Sequence, residues 1–256
     1  ELYNYSLIIE NTHKSFINDC VDKVYCINLV NDNQKLDSFI QMVNKYQINC
    51  EIIRVNKLTD SKTFMFFFKK IANYKSPGEL GCLLSHLMCC MDAKKYNYNN
   101  IIILEEDCIP IKNLNKVFKE CKNIILSKPY VYLGASQWNW SNHLEFHKNY
   151  YNAWRTCGSF AIYLNKEMIP LLIEEYTKMN KSIDNVMFDY YNTPPTYHNH
   201  KKEYYGLNKQ SAFYGKCIVM YPNLFIADVT TSNIRSTQNM KERAIKMKWD
   251  LNLYDI

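Results

Sequence analysis

Three consecutive carboxylates, Glu105, Glu106 and Asp107, stand at the end of an apolar run in Ile-Ile-Ile-Leu-Glu-Glu-Asp-Cys-Ile-Pro, residues 101–110. The four apolar residues, mostly β-branched, read as a strand buried on both faces. Adjacent acids repel one another, so three of them at the end of a buried strand are unfavourable unless a cation or water takes up the charge. In open α/β sheets, ligands sit outside the carboxyl ends of the strands. Glu105 and Asp107 are two apart, and in extended chain they point to the same side. Two hard oxygen donors so placed suit Mg²⁺ or Mn²⁺ carrying a substrate's phosphates. A solvated acidic turn is the competing reading, and this stretch alone does not separate the two.

Other residues with chemical potential are spread along the chain. Ser76-Pro77-Gly78-Glu79 opens a helix, with Ser76 as N-cap, Pro77 at the first helical position and Glu79 completing a capping box. Leu80, Leu83, Leu84, Leu87, Met88 and Met91 form its apolar stripe, while Glu79 and His86, seven apart, share another face. Gly81 and Ser85 are small enough for another backbone to approach. Spacing alone favours structural roles here, a cap for Glu79 and a hydrogen-bonded helix histidine for His86. Asp184 follows Ser182-Ile183 at another helix start, where a cap is again the competing role. Trp138 and Trp140 lie in a polar, aromatic loop over 137–151, placed either to stack on a sugar or to pack locally. His198 and His200 lie in a long loop over 193–209.

The elements that must position these residues alternate. Residues 24–30 read as a buried first strand with Asn28 near its carboxyl end. Residues 32–46 form a helix with Leu36, Phe39, Ile40 and Val43 at helical spacing, and 51–55 a second strand. That order makes a right-handed βαβ unit the default. Further strands are expected over 130–134, 159–164 and 216–221, and helices over 114–126, 166–179 and 238–249. The aromatic run 64–68 reads as core. Residues 1–20 read as an irregular leader and 21–256 as a single domain, without repeats or a clear linker. A chain of 256 residues with 47% hydrophobic content supports one large core.

Composition excludes some classes. Net charge is +6, but the basic residues are mostly scattered lysines, with only four arginines, and form no nucleic-acid stripe. The mild positive balance is compatible with an anionic substrate. Ten cysteines contain no CxxC pair and sit largely in apolar contexts. They read as reduced thiols of a cytoplasmic or other reducing compartment (a host cytoplasm if the source is viral) rather than a secretory lumen. No signal peptide or membrane-spanning run is evident. The chain begins with Glu1, not Met, which reads as a trimmed chain or a piece of a longer protein with a further domain outside it.

Several segments together carry a resemblance. "CINL" at 26–29, "GELGCLLSH" at 78–86 and "ILEEDC" at 103–108 are similar to the motifs of glycosyltransferase family 25, which includes lipooligosaccharide and collagen galactosyltransferases. "SIDNVMFDYY" at 182–191 and "YPNLFIADVTTSNI" at 221–234 resemble the carboxyl half of the collagen-type members. The resemblance implies an α/β GT-A fold with a Rossmann-like, mostly parallel central sheet flanked by helices. It also implies inverting transfer of a hexose, galactose or glucose, from a UDP-sugar to a hydroxyl of a glycan or of a collagen-like protein, with Mn²⁺ or Mg²⁺. Glu105 and Asp107 then match the metal-binding acids, and Asp228 a further acidic position, as third metal ligand or alternative base. Glu79, Ser85 and His86 match positions beside the nucleotide, with Asn28, Lys35 and Glu106 completing the donor side. Asp184 is the expected general base, Trp138 and Trp140 the acceptor platform, and His198 or His200 further metal ligands.

The chain departs from the family pattern in places. Glu106 replaces an aspartate. The arginine pair usual after the first strand is absent, leaving Lys35 as a point charge without the guanidinium fork. Asn56-Lys57 stands where the family has Asp-Gly. A catalytically weakened nucleotide-sugar-binding module, or a metal-dependent nucleotidyltransferase or phosphodiesterase, is therefore the alternative reading.

Overall fold

A computed structural model describes residues 2–60, 76–140, 144–187, 213, 215–230 and 238–256. The run beginning at Ile101 forms strand β4 (Asn100–Glu105) near the middle of an eight-stranded sheet, ordered β1-β3-β2-β4-β8-β6-β9-β7. The strands are β1 (Tyr3–Ile9), β2 (Lys23–Leu29), β3 (Cys50–Val55), β6 (Tyr130–Ser136), β7 (Tyr150–Asn152), β8 (Cys157–Asn165) and β9 (Cys217–Met220). A small second sheet pairs β5 (Cys108–Pro110) with β10 (Phe225–Ala227).

Alternation along β4 splits the core in two. Ile102 and Leu104 join one apolar cluster with Cys26, Ile52, Phe39 and Phe118. Ile101 and Ile103 join the other with Tyr25, Ile53, Leu83 and Leu172. Both faces are covered, which is why the strand is apolar without interruption. Helices α2 (Asn33–Lys45), α4 (Leu114–Leu126) and α7 (Met240–Met247) cover the first face. Helices α3 (Pro77–Lys95) and α5 (Met168–Thr177) pack together over the second. The expected βαβ unit is present, since β2 and β3 run parallel with α2 between them.

The fold is α/β, with a central sheet flanked by helices. The sheet is mixed: β2 pairs in parallel with β3 and β4, and β6 with β9, whereas β8 runs antiparallel to both β4 and β6. This inversion matters for the site. Because β8 runs the other way, its first residues, Cys157-Gly158-Ser159, lie at the edge where β4 and β6 end.

Three expectations need correction. The first twenty residues are not an irregular leader. Tyr3–Ile9 is an edge strand antiparallel to β3, and Phe16–Cys20 forms a short helix, α1, capped by the Ser15 side chain. The edge strand pairs on one side only, and Tyr3, Tyr5 and Ile8 face water. Second, α3 has no single apolar stripe. Ser85, His86, Cys89, Cys90 and Ala93 are buried together with the leucines, while Met91 is exposed. Third, the loop over 137–151 includes the start of β7. The aromatic run 64–68 lies outside the described residues.

No described helix is long and apolar enough to cross a membrane. All ten cysteines are free. Burial pushes the thiols of Cys26, Cys82, Cys89 and Cys108 well above the ordinary cysteine range. Reducing agent is therefore expected to leave the melting temperature unchanged, and a thiol reagent to titrate most cysteines only after denaturation. A drop in melting temperature on reduction would contradict the absence of a bridge.

Candidate active site

A cleft of about 660 Å³ opens where β2, β4 and β6 end. Glu105, Glu106 and Asp107 form its floor, and the first turns of α3 form one wall. The volume lies within the range of small-molecule and cofactor sites.

The three acids have different partners. Glu105 is the last residue of β4. Its Oε1 lies 3.2 Å from His86 Nε2, 3.5 Å from Cys82 Sγ and 3.5 Å from Ser159 Oγ. Burial raises the Glu105 pKa, but the hydrogen bond and charge of His86 outweigh it and hold the group below the ordinary carboxylate range. The strand ends there, and a turn sends Glu106 back toward β2. Its carboxylate accepts hydrogen bonds from Leu29 N (3.0 Å) and from Asn28 Nδ2, with Lys35 Nζ 3.7 Å away. Burial nevertheless lifts Glu106 to about 7, against the opposing charge of Lys35.

Asp107 is the least compensated. Its Oδ1 is buried and has no hydrogen-bond partner among the described residues. Burial, followed by repulsion from Glu105, raises it to about 8. Glu105 and Asp107 thus do not share one side of an extended strand, because the strand stops at Glu105. The turn still keeps their carboxyl groups in strong electrostatic contact at the cleft surface. A buried, unpartnered carboxylate oxygen next to a second carboxylate fits a hard divalent cation. Cys82, His86 and Glu105 also bring one donor atom each within 4.8 Å of one another. In the metal-free arrangement these contacts are hydrogen bonds that aim Glu105.

The β5–β10 pairing brings Asp228 beside this floor, where its N–H donates to Asp107 O at 2.8 Å. Asp228 Oδ1 accepts from Thr230 N (2.8 Å) and Thr230 Oγ1 (2.6 Å), and the residue lines the cleft. Asp184 is the second residue of the short helix α6 (Ile183–Val186). Its Oδ1 accepts from Gly158 N at 2.9 Å, which ties it to the start of β8. Gly158 has φ +93°, and a Cβ there would lie 2.9 Å from Ser136 N and from the Phe160 ring, so this position requires glycine. Asp184 therefore stands over the cleft at the β8 edge, within electrostatic reach of Cys82, as Glu105 is.

Other expected site residues divide between the cleft and its surroundings. Ser85 and Glu79 line the cleft; Ser85 Oγ donates to Gly81 O at 2.8 Å, and the Glu79 N–H donates to the Ser76 cap at 3.3 Å. Lys35 lines it as well. His86 and Asn28 do not reach the cleft. Both are fully buried behind an acid, His86 behind Glu105 and Asn28 behind Glu106, so they support carboxylates instead of contacting a nucleotide. Trp138 is half exposed and lines the cleft. Trp140 does not; its indole N–H donates to Lys246 O at 3.0 Å, its ring packs with Phe146, Tyr151 and Tyr221, and it borders a separate cavity of about 210 Å³. His198 and His200 lie outside the described residues.

Two arginines have no counterpart in the sequence reading. Arg54, buried in β3, donates from Nη2 to Asn33 Oδ1 at 3.0 Å and to Val30 O. It braces the segment after β2 that lacks arginines of its own. Arg243, from α7, lines the cleft next to Trp138. Neither sits in a periodic or motif context that would mark it, since each acts through a long side chain reaching another element.

The raised pKa of Asp107 has a stability consequence. A carboxyl whose folded pKa exceeds its unfolded value near 4 favours the folded state only while protonated, so its cost grows as pH rises from about 4 to about 8. The metal-free protein should thus lose melting temperature between pH 5 and pH 8. Asp107→Asn should raise the melting temperature at pH 8 by on the order of 5 °C. A variant less stable than wild type at pH 8 would refute the unfavourable burial.

The chain matches the model of glycosyltransferase family 25, described as LPS biosynthesis protein, over residues 21–183, more than half its length. No curated protein matches it. Among solved structures, the crystal structure of A197 from STIV is 13% identical, with a TM-score of 0.32, covering 58% of this chain and 67% of that one. That structural likeness is too low to carry an argument. The family match contains the α3 motif and all three acids of the cleft floor, and on it the chain belongs to glycosyltransferase family 25.

Proposed function

We propose that the chain transfers a hexose, galactose or glucose, from a UDP-sugar to a hydroxyl of a glycan or protein acceptor, with inversion and with the help of a divalent metal. The observation that carries this reading is the pair of carboxylates at the end of β4, Glu105 held ionised by His86 and Asp107 with one buried oxygen lacking a hydrogen-bond partner, facing one cleft with Asp184. Glu105 and Asp107, with Asp228 beside them, are the residues to hold Mn²⁺ or Mg²⁺. When bound, the ion would supply the Lewis acid that takes up the charge of the leaving diphosphate.

The protein's own groups do the rest. Lys35 provides a cation at the β2 end of the cleft, paired at 3.7 Å with both Glu106 and Asp32, and suits the phosphates as a point charge. Trp138 offers an aromatic face for a sugar ring. Asp184 has its carboxyl plane fixed by the Gly158 N–H, so it can accept a proton at a defined position. The acceptor hydroxyl gives that proton to Asp184 as its oxygen bonds to the anomeric carbon. The bond from that carbon to the phosphate oxygen breaks, its electron pair leaves with UDP, and no covalent enzyme intermediate forms. The ten free thiols support a reducing compartment as the place of action.

Release of UDP, assayed with Mn²⁺ against a panel of UDP-sugars, separates this reading from its rivals. A binding module releases nothing, a phosphodiesterase releases UMP and sugar 1-phosphate, and a nucleotidyltransferase passes the uridylyl group to its acceptor and releases sugar 1-phosphate. Alanine at both Glu105 and Asp107 is expected to abolish transfer with the fold intact, and wild-type turnover without added metal would refute the metal reading. Asp184→Asn should lower transfer on the order of a hundredfold or more with UDP affinity nearly unchanged. Lost UDP binding would make Asp184 a donor-side residue, and unchanged transfer would move the base to Asp228.

A further inference from the structure

Helix α7 lies outside the residues that match the family model, yet it sends Arg243 into the wall of the cleft. Arg243 is only 5% exposed. Its Nη2 donates to Ser136 Oγ at 2.8 Å, and its guanidinium carbon lies 4.1 Å from the centroid of the Trp138 ring. Ser136 and Trp138 line the same cleft. A guanidinium stacked on an indole and held by a hydroxyl has already lost much of its side-chain freedom. It is thereby prepared for the two-pronged recognition of phosphate or carboxylate at which arginine exceeds lysine.

Its position says which part of a substrate it meets. Lys35 and Glu106 mark the β2 side of the acid pair. Arg243 is anchored at the end of β6, which β8 separates from β4. At about 4.8 Å per strand spacing, that places it about 10 Å beyond the β4 end, away from Lys35. Asp184, tied to β8, stands on the same side. A group bound at Arg243 therefore lies past the reacting centre on the side of the proposed base, which is where an acceptor sits.

We propose that Arg243 and Trp138 form an acceptor subsite for a sugar bearing an anionic group, a phosphate or a carboxylate, so that the natural acceptor is an acidic glycan. This rests on the reading of Asp184 as the acceptor-side base. Calorimetric titration of the full chain tests it. UDP with Mn²⁺ is titrated first, and absence of UDP binding would sink the transferase reading itself. The protein saturated with UDP and Mn²⁺, so that the donor side is filled, is then titrated with glucose, glucose 6-phosphate and glucuronate.

The expected result is that at least one anionic sugar binds on the order of tenfold or more tighter than glucose, and which one distinguishes phosphate from carboxylate. Arg243→Gln should bring that ratio close to one and leave UDP affinity unchanged. Trp138→Ala, at a half-exposed ring, should reduce the ratio without unfolding the chain, and it decides the matter if Arg243→Gln fails to fold. Equal or absent binding of the three sugars, or a ratio that survives in both variants, would overturn the proposal. Loss of UDP affinity in Arg243→Gln would overturn it too, by placing the residue on the donor side.

Discussion

Burying a carboxylate at the end of an apolar strand costs several kcal/mol per charge unless opposite charge or hydrogen-bond donors surround it. The site is organised by how unevenly that compensation is distributed over Glu105, Glu106 and Asp107. Glu106 takes a backbone N–H, an amide and a nearby lysine from the β2 end, and so serves to join β2, α2 and β4. Glu105 takes a histidine, a thiol and a serine hydroxyl from α3 and β8. Asp107 receives the least, with one oxygen buried and unpartnered beside an ionised neighbour. The unevenness leaves Asp107 the least compensated at the cleft surface, and the other two acids hold the surrounding elements in place around it.

That arrangement depends on the inverted strand β8. In a sheet of parallel strands alone, the position beside β4 would present another carboxyl end. Here it presents an amino end, whose Ser159 hydroxyl reaches Glu105 and whose Gly158 N–H reaches Asp184. One strand start thus fixes both a floor acid and the acid above it, and it does so through a glycine whose φ of +93° other residues adopt only with strain. The second sheet has a similar role. Three residues of β10, all buried in the first apolar cluster, pair with three of β5 and set Asp228 directly beside Asp107.

Much of this was legible in the sequence where the signal is local. The apolar run ahead of the acids specified a strand covered on both faces, the spacing in α2 and the span of α4 matched their helices closely, and Ser76-Pro77 marked the start of α3. What escaped reading is non-local. The edge strand β1 buries too little to show a pattern, and β5 and β10 are too short to have a period. Trp138 and Trp140 are indistinguishable by type and spacing, and only the packing of Phe146, Tyr151 and Tyr221 draws one of them away from the cleft. By contrast, the hydrogen-bonded helix histidine that spacing alone favours for His86 is what the structure has, buried with Glu105 as its partner. Arg54 and Arg243 act at a distance from their own elements, where periodicity carries no information.

The division between matched and unmatched residues follows the same physical line. Residues 21–183 hold the strand ends, the helix α3 and the acids, whose spacing is constrained because charge compensation leaves little freedom to move any one of them. The wall made by Asp228 and Arg243 lies outside that span, and Trp138 completes it from within. It is assembled from a loop, a three-residue strand and a surface helix, and those elements reach the cleft through a few contacts each, such as Arg243 to Ser136. Elements attached so lightly can exchange side chains at the cleft without disturbing the charge balance at the β4 end. That wall carries the Arg243 guanidinium, fixed against the Ser136 hydroxyl and the Trp138 ring.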